Sequence, residues 1–371
     1  VDSKRSPLTG FDAGDPVNVT SASGEVLASA WFEPNSLICA RAFAPDADLQ
    51  PGVELLAVRV SRALALRERY FTDPCYRLLY GDSDGSSGMV VDRFGDYLVV
   101  QLNTAGAERH GNALVQALVE QLSPAGILLR ADSRSRREQG LESHSEVVFG
   151  AVPEQVELVE NGARFLAPVH GGQKTGWFYD HRENRGRLNT LCRGMRVLDV
   201  YSYIGGWGVQ AAVAGASAVH CIDNSRPALE AAVANAELNG VADRVQVHHG
   251  RADQQMVALA EAGERFDAVV LDPPAFVQRK KDLGKGRKAY QRINELALGL
   301  LAPGGLLVSA SCSMHLSEQD LVDAVAAAAR RRAASLRLTH IGGQGPDHPI
   351  HPVVPETRYL KAIFADVSPA G

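Results

Sequence analysis

From Arg196 onward, short and almost unbroken apolar runs alternate with longer stretches of helical periodicity, and few folds accept that pattern. The runs stand at residues 196–201, 218–223, 245–248, 266–272 and 305–311, with helices expected at 226–239, 289–301 and 324–332. A strand that is apolar on both sides has to be covered on both faces, as a parallel strand flanked by helices is. The alternation therefore predicts an α/β fold, a doubly wound Rossmann-like sheet in the C-terminal half. In such sheets ligands sit beyond the carboxyl ends of the strands, so residues at those ends carry the chemistry. Arg330, Arg331 and Arg332, closing the last helix, read as a favourable charge cluster at a helix C-terminus.

A chain of 371 residues exceeds one ordinary core, and the part before the sheet has a different pattern. Residues 16–60 carry short β-like runs (17–19, 25–27, 36–40) broken by turn signals at Ser23-Gly24 and Pro34-Asn35. They predict a small β-barrel, followed by a charged helical link at 62–70. Residues 76–169 hold strands at 88–94, 97–102, 126–130 and 146–148 around a helix at 112–122, an α+β grouping. The expected division is a barrel over 1–72, a central α+β domain over 73–169 and the sheet domain over 170–371. Arg130, Arg134, Arg136 and Arg137 form the densest basic run of the central region. A solvated loop is the ordinary reading of such a run, and a phosphate contact the functional one.

Composition excludes several classes. The five cysteines (Cys39, Cys75, Cys192, Cys221, Cys312) include no CxxC pair, which argues against a disulfide framework and a zinc ribbon. No metal is expected, and a reducing cytoplasm is the natural setting. No segment approaches about 18 uninterrupted apolar residues, so no membrane span is expected. Residues 1–16 lack a basic-then-apolar leader pattern. A net charge of −5 means that any nucleic-acid contact has to rest on a local basic patch.

Where the first strand of the sheet ends, Asp199-Val200-Tyr201-Ser202-Tyr203-Ile204-Gly205-Gly206-Trp207-Gly208 runs through a glycine-rich turn into a helix. Glycine lets a ligand approach the backbone closely, but this is not the spaced G-x-G-x-x-G of dinucleotide enzymes. Three acids follow at later strand ends. Asp223, about 20 residues beyond the turn, is placed to accept from both hydroxyls of a ribose. Asp253 follows the third strand, where it can meet an adenine amino group. Asp272 ends the fourth, followed by Pro273-Pro274-Ala275-Phe276. Each acid alone is an ordinary strand-end cap; three in register are hard to assign to chance. The two prolines fix the backbone and remove two amide donors, so Asp272 sits on a rigid corner. Such a corner can orient a planar nitrogenous ring beside a cationic sulfonium. Cys312, in Ala310-Ser311-Cys312-Ser313, ends the fifth strand next to it. Burial is the usual fate of a strand cysteine and suits Cys39 and Cys221. At this edge a thiolate can instead attack an electron-poor ring carbon.

These residues resemble the bacterial 23S ribosomal RNA cytosine-C5 methyltransferase family that carries an N-terminal PUA domain. The likeness spans residues 15–364. Its most specific parts are Gly172-Gln173-Lys174-Thr175-Gly176-Trp177-Phe178-Tyr179-Asp180-His181-Arg182, the turn from Asp199 to Gly206, Asp272-Pro273-Pro274-Ala275-Phe276, and Ser311-Cys312-Ser313. The stretch from Tyr80 to Tyr97 is similar to that family's central domain, and the first region to its PUA barrel, an RNA-binding module. The resemblance implies S-adenosylmethionine as methyl donor, with Lys174, Thr175, Gly176 and Phe178 bordering its pocket. It implies that Tyr201, Tyr203, Gly205 and Gly206 wrap the methionine end, that Asp223 holds the ribose, and that Asp253, Asp272 and Pro273 complete the site. RNA, 23S ribosomal RNA in particular, is the implied partner, with a homodimer left open. Met314-His315 follow Ser313 where the family usually shows a glycine, and Val169-His170 stand where a more polar stretch is usual. The loop at 342–356 resembles a family loop through Asp347-His348-Pro349, and its histidine is expected to be solvated.

On this reading Cys312 and Asp272 are the catalytic pair. The thiolate adds to C6 of a cytosine, C5 takes the methyl group, and Asp272 bonds the N3 or amino edge. Arg134 and Arg136 are the candidate phosphate contacts. Ala275 stands where another branch of related enzymes places a second cysteine, so no residue is assigned to take the C5 proton. Four alternatives compete. An RNA guanine-N2 methyltransferase shares the Pro-Pro corner and needs no cysteine. A non-catalytic RNA-binding or ribosome-assembly factor has no use for the set of acids. A small-molecule methyltransferase leaves the first 165 residues without a purpose. An NAD-dependent oxidoreductase is disfavoured by the turn and the corner.

Overall fold

Residues 9–36, 38–45 and 52–369 are described in a computed structural model, in which the chain divides into two compact units. The first takes the chain up to Leu158 together with Ala167–Tyr179 and Pro346–Thr357; the second takes Val159–Leu166, Asp180–Gly345 and the chain from Arg358.

In the first unit β1 (Pro16–Thr20), β2 (Val26–Phe32) and β3 (Ala40–Ala44) form an antiparallel sheet in that order. Among the described residues this is a three-stranded sheet and not a closed barrel. The run expected at 36–40 is irregular until β3, and residue 37 lies outside the described residues, as do 1–8. After α1 (Val53–Arg67) comes a five-stranded sheet, β4 (Cys75–Tyr80), β5 (Met89–Phe94), β6 (Tyr97–Leu102), β7 (Gly126–Ala131) and β8 (His144–Gly150), paired in chain order. Only β6 and β7 run parallel, and α2 (Ala105–Arg109) and α3 (Gly111–Leu122) make the crossover that a parallel pair needs. Leu56 and Val60 of α1 and Leu114 and Leu118 of α3 share a core with Leu79, Val91, Val100 and Ile127 of the sheet. The short α4 (Arg134–Glu138) follows β7.

Buried charge fixes this unit. Arg77 faces Asp92 across β4 and β5 in a two-pronged pair of 2.6 and 2.9 Å. Arg67 grips both oxygens of Asp84 at 2.7 Å and donates to the carbonyls of Arg77 (2.9 Å) and Asp347 (2.8 Å). The Asp347 carboxylate accepts from the N–H of Arg77 (3.1 Å) and meets Nδ1 of His348 (2.9 Å). His348 is therefore buried, not solvated as the sequence suggests: Asp347 supplies its polar partner and the Tyr80 ring, 5.0 Å away, an apolar one.

A hairpin, β9 (Val156–Glu160) and β10 (Ala163–Ala167), is turned by Asn161-Gly162 at φ 51° and 81°, and its part from Val159 to Leu166 is assigned to the second unit. The main sheet of that unit has the order β13 (Val245–His249), β12 (Ala218–Asp223), β11 (Arg196–Val200), β14 (Phe266–Leu271), β15 (Leu301–Ser311), β17 (Lys361–Pro369) and β16 (Ala334–Gly342). The first five are parallel and β17 is antiparallel to both neighbours. Helices α5 (Arg182–Leu191), α6 (Gly208–Val213), α7 (Arg226–Leu238), α8 (Ala252–Glu261), α9 (Leu283–Leu300) and α10 (Glu318–Arg331) complete a doubly wound α/β unit. The chain leaves β11 for β12 on one side and returns to β14 on the other, so the topological switch point lies at the ends of β11 and β14. Leu198, Val200, Ile222, Val269 and Leu271 pack there with Tyr290 and Ile293 of α9 and Leu321 and Val325 of α10. No helix among the described residues is long and apolar enough to cross a membrane.

Candidate active site

The turn after β11 holds a conformation that most sequences avoid. Tyr201 and Tyr203 have φ of 68° and 50°, and Gly205 follows at 84°. Left-handed backbone at a non-glycine residue costs about 1–3 kcal/mol and persists only where the surroundings impose it. Here Tyr201 and Ser202 donate their N–H groups to the carbonyl of Ile222 (2.9 and 3.0 Å), and Asn235 of α7 donates to the carbonyl of Ile204 (3.1 Å). A Cβ on Gly205 would stand 2.7 Å from Val209 Cγ2, so no larger residue fits, and Gly206 is buried beside it.

Asp223, at the tip of β12, accepts from the N–H of Tyr203 on one oxygen (2.9 Å) and of Ser225 on the other (2.8 Å). It thereby locks the turn, and each oxygen keeps a lone pair for a ligand hydroxyl. Asp199, near the end of β11, is fully buried; Oδ2 accepts from the N–H of Gly208 (2.8 Å), while Oδ1 has no hydrogen-bond partner. Burial, offset in part by that N–H, and repulsion from Asp272 and Asp223 push its carboxyl up to about 7. Three carboxylates at neighbouring strand ends, one with an orphaned oxygen, make a site suited to positive charge. Asp199 is missing from the sequence-based set, although it stands at its strand end as Asp223 does.

Asp272 follows β14. Its Oδ2 accepts from the indole N–H of Trp207 (3.1 Å), and its Oδ1 lies 3.2 Å from Nε2 of His181. Asn184 donates to the carbonyl of Gly343 (2.9 Å), which orients its amide, and the same nitrogen lies 3.1 Å from Nδ1 of His181. Asn184 thereby fixes the orientation of the His181 ring, with Nε2 on the side of Asp272. Burial opposes the charge on Asp272, but His181 and Trp207 outweigh it and hold the carboxyl below its ordinary value. The carboxylate is ionised at neutral pH and fixed in direction.

Cys312 follows β15, the strand beside β14, and is partly exposed; so is Cys39, which the sequence suggests is buried, whereas Cys75, Cys192 and Cys221 are buried. The neighbours of Cys312 are tightly held. The Tyr290 hydroxyl lies 2.7 Å from that of Ser311 and 3.0 Å from that of Ser313, and Ser313 Oγ accepts from the N–H of Val277 (3.2 Å). That last bond ties the cysteine turn to the loop that begins Asp272-Pro273-Pro274, in which Pro273 is buried.

The remaining expected residues are less concentrated. Asp253 lies in the first turn of α8, paired with Arg251 (3.0 Å). After burial, it is the next cause lifting the Tyr201 phenol to about 12. Lys174, Thr175, Gly176 and Phe178 fall in the first unit. There the Lys174 ammonium stands 4.6 Å from the Phe178 ring, Gly176 needs its φ of 104°, and buried Thr175 donates its hydroxyl to Asp92. Arg134 is exposed and pairs with Glu138 (2.8 Å). Arg136 is not a surface cation: it is buried, pairs with Glu108, and donates to the carbonyls of Leu102 and Glu142 (both 2.7 Å). It braces α4 against its surroundings and, being buried, does not present its charge to a phosphate as the sequence suggests.

The sequence pattern of S-adenosylmethionine-dependent methyltransferases matches residues 87–364. The chain is 35% identical over 363 residues to the ribosomal RNA large subunit methyltransferase I of Erwinia tasmaniensis, covering 95% of this chain and 91% of that protein. A Streptococcus mutans protein assigned as a SAM-dependent methyltransferase shares its fold, with a TM-score of 0.85, 18% identity and coverage of 98% and 94%. SMU.776, solved in complex with SAH, does so with a TM-score of 0.86, 19% identity and the same coverage. The chain therefore belongs to the S-adenosylmethionine-dependent methyltransferases, and among them to the ribosomal RNA large subunit methyltransferase I family.

Proposed function

We propose that this chain methylates C5 of a cytosine in 23S ribosomal RNA in the cytoplasm, with Cys312 as nucleophile and Asp272 directing the base. The observation that carries this reading is the partly exposed Cys312 at the strand end beside the Asp272 corner, its turn tied to that corner through Ser313 and Val277. When bound, S-adenosylmethionine supplies an electrophilic methyl group on a sulfonium. Asp223 would hold its ribose, Asp253 would face the adenine, and the turn from Tyr201 to Gly206 would enclose the methionine end. The orphaned oxygen of Asp199 fits a cationic group there. Cys312 Sγ adds to C6, which makes C5 nucleophilic; once C5 has taken the methyl group its proton passes to solvent water, and the electron pair left behind restores the C5–C6 double bond and expels the thiolate. Asp272, held by Trp207 and His181, accepts from the amino edge of the cytosine. The divisions 1–72, 73–169 and 170–371 and the PUA character of the first belong to the same proposal, with exposed Arg134 as a phosphate contact.

Nucleoside mass spectrometry of unmodified 23S rRNA, treated with the enzyme and S-adenosylmethionine, is expected to show 5-methylcytidine. N2-methylguanosine in its place would replace this reading with base-exocyclic chemistry. The site also has a pH signature. The folded-state pKa of Asp199 is raised from about 3.8 to about 7. Its contribution to stability is thus complete below about pH 3.8 and falls as pH rises to about 7, because the folded chain keeps a proton that the unfolded chain loses. A cation bound beside it lowers that pKa and expels the proton. Calorimetry near pH 7 in buffers of different ionisation enthalpy should therefore show up to about half a proton released on S-adenosylmethionine binding, since a carboxyl with a pKa of about 7 is half protonated there. Asp199→Asn should abolish the buffer dependence.

A further inference from the structure

Lys361 opens β17, directly opposite Ser311 in the β15–β17 register, and is buried. Its ammonium donates to the carbonyls of Ser313 and Leu316, both at 2.7 Å. Those two carbonyls bracket the turn Ser313–Leu316, which directly follows Cys312 and is closed by the Leu316 N–H on the Ser313 carbonyl (3.1 Å). Burying an ammonium is costly unless it is paired as well as hydrogen-bonded, and two neutral carbonyls are incomplete compensation. Burial accordingly lowers the Lys361 pKa to about 8, and the first charge opposing that fall is Cys312. The other charges around it are Arg358, which acts with burial, and Glu318 and Asp320, which act against it. Both acids have partners of their own: Glu318 pairs with Arg358 (3.1 Å), and Asp320 pairs with Arg287 (3.3 Å) and caps α10 through Ser317. The Tyr290 phenol also feels Cys312: burial pushes it upward, Ser311 and Ser313 hold it down, and the charge of the sulfur pushes it upward again. The lysine gains when the sulfur is an anion, whereas the tyrosine does not.

We propose that Lys361 is the positioning residue that keeps Cys312 as a thiolate and holds its turn in register with the Asp272 corner. The proposal rests on the reading of Cys312 as nucleophile. The thiol proton leaves to solvent and the ammonium stays. The ammonium, held on the Ser313 and Leu316 carbonyls, offsets the charge of the sulfur until Sγ bonds to the ring carbon and the negative charge passes into the ring. A cation beside a thiol both lowers its pKa and raises its reactivity at neutral pH.

The test is the pH dependence of alkylation by iodoacetamide, read by peptide mass spectrometry on the full chain, with Cys39 as the internal reference thiol. In wild type, Cys312 is expected to be alkylated at pH 7 at a rate close to its alkaline plateau. In Lys361→Met the rate at pH 7 should fall at least about tenfold relative to that plateau, and Lys361→Arg should restore most of it. Profiles that coincide in wild type and Lys361→Met would overturn the proposal and leave Lys361 as a clamp on two carbonyls. A wild-type Cys312 that titrates like Cys39 would overturn it even if the variants do not fold. The alkylation readout does not depend on turnover. A shifted thiol without formation of 5-methylcytidine would therefore place the error in the proposed reaction and not in the role of the lysine.

Discussion

Replacing Cys312 by alanine is expected to reduce methyl transfer to 23S rRNA by at least about 10³-fold, or about 4 kcal/mol of transition-state stabilisation, with S-adenosylmethionine affinity within about threefold of wild type. C5 of cytosine is not nucleophilic by itself, so loss of the sulfur removes the activating step and not an auxiliary contact. The fold should tolerate the change. Cys312 is partly exposed, and Tyr290, Ser311 and Ser313, which shape its turn, keep their mutual hydroxyl contacts in the variant. Methyl transfer measured with labelled donor, beside calorimetric binding of the same donor, separates the two quantities. Full activity in the variant would move the chemistry to an exocyclic nitrogen.

Asp223→Ala should act on the opposite quantity and weaken S-adenosylmethionine binding by about 100-fold, or about 2.7 kcal/mol. Two effects combine. The ligand loses charge-assisted hydrogen bonds at its ribose, each worth about 1.5–3 kcal/mol. The turn loses the acceptor for the N–H groups of Tyr203 and Ser225, and the left-handed backbone at Tyr201 and Tyr203 loses part of what imposes it. Asp223→Asn should lie between, since one oxygen can still accept. Unchanged affinity in the alanine variant would show that the strand end does not face the ribose.

The parallel half of the second unit is legible in the sequence because burial on both faces leaves continuous apolar runs, and all five expected strands are found within a few residues. The antiparallel pair that follows is not legible. The edge strand β16 alternates with exposed polar positions, and β17 pairs with segments far away in sequence. In the first unit, Arg77 interrupts the apolar run of β4, and only its cross-strand partner Asp92 makes the strand acceptable. The hairpin at Asn161-Gly162 carries a type I′ signal that a search for hydrophobic period passes over. At the candidate site, the acids and the cysteine stand where the strand register predicts. Their supports do not announce themselves: Trp207, His181, Tyr290 and Lys361 act through contacts that only the assembled sheet brings about. The basic run misleads for the same reason, since Arg130 and Arg136 look like surface charges until Asp132, Glu108 and distant carbonyls are placed around them.

The Arg67–Asp347 contact also has a consequence for biosynthesis. The guanidinium emerges from a ribosome 280 residues ahead of the carbonyl that completes its shell. At about 5–20 residues per second that interval is roughly 15–60 s, during which Asp84 is its main partner. Full closure of the first unit therefore waits for translation to reach Asp347. Fragments that stop before Pro346 should lack its final cooperative stability, even though they encode every strand of its two sheets.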